Sequence, residues 1–213
     1  MGPFITFEGG EGCGKSTQAK RLAAGLEQLE YDVVLTYEPG GTPLGEELRR
    51  SLKRARAEGV TAEAELLLFA AARSELTSGV IRPALERGAI VVCDRYADST
   101  VAYQGYGRKL PLDTVAAVNL LATHGLRPDL TVLLDMDPAR ALMRKRRSQD
   151  RFEHESAEFH ERVRSGYLAL ANADPEHWLV LDAGTSPSAL ERCIRDRVDT
   201  LLNDHGLPRL LPA

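Results

Sequence analysis

Hydrophobic and polar positions follow two rhythms along this chain. Short apolar runs recur at Phe4–Phe7, Asp32–Tyr37, Ala89–Cys93, Leu130–Leu134 and Trp178–Leu181, each followed by acidic or glycine-containing sequence. Between them, apolar residues repeat every three or four positions: Leu22, Leu26, Leu29; Leu44, Leu48, Leu52; Leu112, Val115, Val118; Leu190, Ile194, Val198, Leu201. The first pattern reads as buried strands and the second as amphipathic helices. Five strands alternating with helices predict an α/β fold, a three-layer arrangement with one parallel sheet covered on both faces and right-handed crossovers.

Punctuation sets the boundaries. Thr61 caps a helix whose face holds Ala64, Leu67, Leu68 and Ala71, and Gly79 and Pro83 are expected to interrupt it. Pro111 starts another helix and Gly125 stops it. Pro138–Arg147 reads as a helix that is strongly basic at its end, and a long charged helix is expected to run to about Asn172. Pro39, Gly40 and Gly41 force a tight loop after the second strand.

In sheets of this kind ligands bind outside the carboxyl ends of the strands. Polar residues unusual for a core cluster there, at Glu8-Gly9, Glu38, Asp94-Arg95, Asp135 and Asp182–Gly184. Gly9–Thr17 reads GGEGCGKST, and Gly9, four residues, then Gly14-Lys15-Ser16 between a strand and a helix is the pattern of a phosphate-binding loop. Its glycines let successive amides converge on an anion, and the following helix points its positive end there. Gly10, Glu11, Gly12, Cys13, Gly14, Lys15, Ser16 and Thr17 are therefore the candidate ATP site, with Lys15 for the β and γ phosphates and Ser16 for a bridging magnesium ion. Either Asp94 or Asp135 could complete the metal shell. Asp94 is preferred because Arg95 beside it places a cation near the phosphates, while Asp135 reads as a cap before Pro138.

Arg144-Lys145-Arg146-Arg147 admits three readings: a solvated helix end, a contact for nucleic acid, or a lid over the phosphoryl group. The lid would span about 144–155, with Ser148–Asp150 as its tip. Phe69 and Arg73 lie four apart on one helix, so they share a face suited to a planar heterocycle, although periodicity also makes Phe69 a core residue. Tyr103, Gln104 and Tyr106 stay open on the same grounds.

At 213 residues the chain is expected to form a single domain, residues 1–213. A net charge of −4 gives no overall attraction to nucleic acid or to an anionic membrane. Cys13, Cys93 and Cys193 are odd in number and far apart, which suggests a reducing compartment and no metal cluster. Met1-Gly2 with Thr6 fits a myristoylation pattern, but Phe4–Phe7 as a core strand leaves no free arm to acylate. With no signal peptide and no run of eighteen apolar residues, the expected address is the cytoplasm.

Several of these stretches together resemble the thymidylate kinases of bacterial type, within the P-loop nucleoside monophosphate kinases. They are Glu11 inside the glycine loop, Glu38–Thr42, Phe69 to Arg73, Asp94-Arg95-Tyr96, Ser99-Thr100 with Tyr103-Gln104-Gly105, Arg127-Pro128-Asp129 and Asp150-Arg151. The resemblance implies transfer of the ATP γ-phosphoryl group to dTMP, giving dTDP for dTTP synthesis. It implies a homodimer and a five-stranded sheet of order 2-3-1-4-5. By position it places Phe69 on thymine, Arg73 and Thr100 at its edge, Tyr103 under the deoxyribose and Glu11 at the 3′ hydroxyl. Arg95, with Arg49, would hold the acceptor phosphate, and Glu38, Ser99 and Gln104 join the dTMP site. Gly184 and Thr185 would lie near adenine. The loop arginine of some family members is absent, Gly12 and Cys13 standing there, which shifts the weight to Arg144, Arg147 and Arg151 in the lid. The rivals are a P-loop kinase for another nucleotide or nucleoside and a nucleotide-dependent switch or motor; no Asn-Lys-x-Asp guanine signature occurs.

Overall fold

The computed structural model describes residues 1–54, 59–144 and 155–207. Five parallel strands, β1 (Phe4–Glu8), β2 (Val33–Tyr37), β3 (Ile90–Asp94), β4 (Leu130–Asp135) and β5 (Trp178–Asp182), form one sheet of order β2-β3-β1-β4-β5. The chain leaves β1 for α1 (Lys15–Glu27), and α2 (Pro43–Arg54) and α3 (Ala62–Leu76) follow β2. Helix α4 (Arg82–Glu86) precedes β3, and α5 (Ala97–Thr100) and α6 (Leu112–Thr123) lead from that strand to β4. Helices α7 (Pro138–Arg144), α8 (Ala157–Ala173) and α9 (Pro187–Asp204) complete the described elements.

Strand alternation divides the core. Ile5, Phe7, Ile90 and Val92 point to one face and meet Leu22 and Leu26 of α1 with Ile194 and Val198 of α9. Phe4, Val91 and Cys93 point to the other and meet Leu76, Ile81 and Leu85. A fully buried leucine or phenylalanine contributes about 1.5–3 kcal/mol, so these two faces hold the strand ends in register. Thr6, a polar residue within β1, donates its hydroxyl to Thr131 Oγ1 at 3.0 Å inside the sheet. Gly2 is buried and its amide donates to Leu85 O, so the acylation pattern sits on backbone tied into the fold.

Three expectations change. The interruption at Gly79 and Pro83 is a π-helical turn, Thr77–Ile81, that carries α3 straight into α4, with Pro83 as the second residue of α4. The helix after the glycine loop begins at Lys15 and ends at Glu27, leaving Leu29 beyond its end but still packed on the core. Asp135 is not a cap: its carboxylate receives two hydrogen bonds from Arg164, each 2.8 Å, and Asp137 Oδ1 caps α7 through Ala139 N–H. Tyr103, Gln104 and Tyr106 belong to a π-helical turn, Val101–Gly107, packed on α8. The lid expected at about 144–155 lies outside the described residues apart from its two ends, and Arg147 and Arg151 lie outside with it.

Candidate active site

The sheet delivers β1, its central strand, and the neighbouring β3 to one rim, and the site is built where they end. β1 runs into Gly9, where φ is +137° and an added Cβ would come within 2.4 Å of Leu134 O, so a side chain has neither the dihedral nor the room. Gly14, with φ +96°, turns the loop into the first residue of α1. The loop closes on itself: Cys13 Sγ–H reaches Gly10 O, and buried Lys15 donates from Nζ to Gly10 O at 2.6 Å. The ammonium and the amino end of α1 thus face the same concavity, which suits a polyphosphate.

Ser16 Oγ meets Asp94 Oδ2 across the loop, joining the ends of α1 and β3. The other carboxylate oxygen, Asp94 Oδ1, is buried without a hydrogen-bond partner. The Ser16 hydroxyl and the Asp94 carboxylate, one of whose oxygens has no partner, form a hard-oxygen donor set. It suits magnesium, which takes one or two protein oxygens and completes its shell with phosphates and water.

Arg95 follows directly, and its backbone sits in the left-handed region at φ +75°, a conformation a non-glycine residue holds only where surrounding structure enforces it. Here the Arg95 N–H donates to Phe7 O, and the side chain swings back over the glycine loop. Its NH1 meets Gly9 O, Ser99 Oγ and Tyr167 OH, and its NH2 meets Glu11 Oε1 and Tyr103 OH, with the guanidinium carbon 5.1 Å from the Tyr103 ring centre.

A second arginine anchors the far wall. Arg73 is 1% exposed, and each of its five N–H groups finds a protein acceptor: Glu38 through Nε and NH2, Tyr96 O through NH2, Thr100 Oγ1 and Asn119 Oδ1 through NH1. Burial pushes the Glu38 carboxyl up to about 7 against the opposing pull of Arg73. Glu8, buried at the end of β1, is also raised by burial, opposed by Arg95 and by hydrogen bonds from Ser99, Tyr96 and Tyr167.

These elements enclose a cleft of about 570 Å³, a size that suits a small-molecule ligand. Glu11, Gly12, Gly14, Lys15, Ser16 and Thr17 line one end; Phe69, Thr100, Tyr103 and Gln104 line the other; Asp94, Arg95 and Ser99 lie between, with Glu38 and Arg49 on the rim beside β2. Arg49 donates to Pro39 O at 2.8 Å and lies 5.4 Å from the Tyr37 ring centre. Gly10, Cys13 and Arg73 support the walls without lining them. Gly184 and Thr185 lie outside the lining, the Gly184 N–H turned onto Asp182 Oδ1. Sequence reasoning missed Asn119 and Tyr167, and passed over Glu8 as merely polar; of these only Glu8, an acid ending an apolar strand, carried a signal.

Asp98, on α5 behind the cleft, borders a separate cavity of about 200 Å³. Burial, reinforced by the charge of Glu8, pushes its carboxyl from 3.8 up to about 7. Between those values the folded chain keeps a proton that the unfolded chain has released, so stability from this group falls as pH rises towards 7 and is level above it. Asp98→Asn is expected to raise the melting temperature near pH 8 and to change it little near pH 4. Thermal unfolding across that range checks this, and an offset that does not grow with pH contradicts it.

A glycine loop with Lys15 and Ser16 at one end of a cleft, and an aromatic residue and buried arginine at the other, on a sheet of this order, define a P-loop kinase of the nucleoside monophosphate class. The thymidylate kinase family model matches residues 7–194. Among curated relatives, a thymidylate kinase of Dehalococcoides mccartyi is 56% identical over 203 residues, covering 95% of this chain and 98% of its own. One of Gloeobacter violaceus is 52% identical over 206 residues, covering 95% and 97%. The crystal structure of thymidylate kinase from Ehrlichia chaffeensis superposes with a TM-score of 0.77 at 35% identity, covering 92% of this chain and 98% of that one. The chain belongs to the thymidylate kinase family, enzymes that phosphorylate dTMP to dTDP with ATP.

Proposed function

We propose that the cleft performs this transfer in line, with dTMP at the Phe69–Gln104 end and the ATP polyphosphate on the glycine loop. The observation that carries the reading is the single volume joining Lys15 and Ser16 to Phe69 and Thr100, with Arg95 between them. An acceptor phosphate oxygen attacks the γ-phosphorus, the bond to the β–γ bridging oxygen breaks, and ADP leaves with that electron pair. The attacking oxygen is already anionic and needs no general base, so the residues act by placement and charge. Lys15 neutralises the β and γ phosphates, and Arg95 the acceptor phosphate, with Arg49 at the rim. Ser16 and Asp94 would hold magnesium, which supplies further neutralisation between the phosphates when bound.

Phe69 offers its ring to thymine, and Tyr103 and Glu11 face the sugar. Thr100 accepts from Arg73, so its own hydroxyl hydrogen remains for the edge of the base. Arg73 can reach that edge only by giving up a protein acceptor. Arg144, Arg147 and Arg151 stay candidates for a cation closing over the γ-phosphate, and Gly184 and Thr185 for the surroundings of adenine. One domain accounts for all of these groups, and the free cysteines favour the cytoplasm. Among the described residues no helix is long and apolar enough to cross a membrane.

A homodimer is supported by α3 and α6, adjacent helices that expose Leu67, Leu112, Leu120 and Leu121 at 46–75%. A helix apolar on both sides needs a second partner, and another copy of this surface would supply it.

A coupled ADP assay over a panel of nucleoside monophosphates and nucleosides tests the reaction. Turnover dependent on dTMP is expected, and ATP hydrolysis indifferent to the acceptor would overturn it. Phe69→Ala is expected to weaken dTMP binding by about 1–3 kcal/mol, the worth of one stacked base, with ATP affinity unchanged. Titration calorimetry with each nucleotide separates this from a collapsed wall, which weakens both.

A further inference from the structure

Glu8 is fully buried at the end of β1, belongs neither to the glycine loop nor to the groups assigned to dTMP, and lines no part of the cleft. Its Oε1 accepts from the Tyr96 N–H at 2.7 Å. Its Oε2 accepts from Ser99 Oγ at 2.6 Å and from Tyr167 OH at 3.0 Å. The same two hydroxyls meet Arg95 NH1, at 3.1 and 3.2 Å, and lie 2.9 Å from each other.

The polarity of this cage follows from its members. A guanidinium has only hydrogens to offer, so both hydroxyl oxygens must turn lone pairs towards Arg95 and send their hydrogens elsewhere. Glu8 is the acceptor that receives them. Two hydroxyls arranged this way, with Gly9 O, hold NH1 from behind and leave the far edge of the guanidinium towards the cleft, where Glu11 now meets NH2. Without an acceptor at Oε2, either hydroxyl could point its hydrogen at Arg95 and repel it.

We propose that Glu8 is a positioning residue for the phosphoryl acceptor, orienting the Ser99 and Tyr167 hydroxyls so that Arg95 is held in place for the acceptor phosphate. This rests on the reading of Arg95 as the cation for that phosphate. Glu8→Gln is the informative change because it keeps the size and reverses the polarity. The Tyr96 N–H requires the amide oxygen at the Oε1 position, which puts the NH₂ group against Ser99 and Tyr167. Tyr167→Phe removes one of the two hydroxyls and leaves the carboxylate intact.

The test is binding of dTMP and of thymidine, which lacks the phosphate, to wild type, Glu8→Gln, Tyr167→Phe and Arg95→Met, measured by calorimetry beside each melting temperature. Glu8→Gln is expected to weaken dTMP about tenfold or more, the scale of one hydrogen bond to a charged group, and to leave thymidine nearly unchanged. Tyr167→Phe is expected to move the same ratio in the same direction by less, and it decides the matter if Glu8→Gln does not fold. Equal weakening of both ligands, or no weakening of dTMP, overturns the positioning role. If Arg95→Met abolishes the preference for dTMP over thymidine while the other two variants keep it, only the role of Glu8 fails. If Arg95→Met keeps the preference, the reading of Arg95 fails and the role of Glu8 with it.

Discussion

Lys15→Met is expected to lower kcat by about 10²- to 10³-fold, the range seen when one preorganised donor is removed from a site of developing charge. Lys15 is 6% exposed, its ammonium rests 2.6 Å from Gly10 O, and among the described residues it has no acidic partner. Its charge is therefore available to the polyphosphate without first breaking an ion pair. Methionine keeps most of the stem and its packing, so the loss should fall on turnover while the melting temperature changes little. Steady-state kinetics with saturating dTMP check this: a rise in the KM for ATP alone, with kcat intact, would mean that Lys15 binds the ground state and transition state equally.

The second large effect concerns stability. Arg73→Met is expected to destabilise the fold by about 3–5 kcal/mol, because it leaves Glu38 as a buried carboxylate stripped of its cation. The pair is 2.6 Å apart at its closest, with both side chains at most 3% exposed. The loss should depend on pH. With Arg73 gone, the Glu38 carboxyl rises further above the value of about 7 it has in the intact pair, while in the unfolded chain it titrates near 4.5. The folded variant then holds a proton that the unfolded chain gives up, so its stability is greatest below the unfolded value and falls as pH rises towards the folded one. Pairing Arg73→Met with Glu38→Gln removes the charge and should recover a large part of the loss near pH 8. Urea unfolding of the single and double variants checks both statements, and a double variant no more stable than Arg73→Met would place the cost in lost packing instead.

Much of the site was legible because its chemistry is contiguous. The glycine loop announces itself where Gly9 and Gly14 need positive φ and where Lys15 and Ser16 must follow at the start of a helix, all within a few residues. Strand ends were legible because an acid closing an apolar run, as at Glu8, Asp94 and Asp135, has no place in a core. Their roles were not. Arg95 favoured Asp94 over Asp135 for the metal shell, but neither run shows that Ser16 meets the first or that Arg164, 29 residues away, takes the second. The π-helical turn at Thr77–Ile81 was read as a break because glycine and proline are both poor in helix interiors, yet the chain stays helical through Gly79 and on through Pro83 in α4.

By itself, then, the sequence determined which segments are strands and helices, and that a phosphate loop opens the first helix, since local dihedral needs and the apolar period are properties of neighbouring residues. The tertiary structure alone decided which distant groups share a charge: Glu8 and Tyr167 are 159 positions apart and Arg73 and Asn119 are 46 apart. Burial makes those meetings count, because a polar group cut off from water must find its partner wherever folding has brought one.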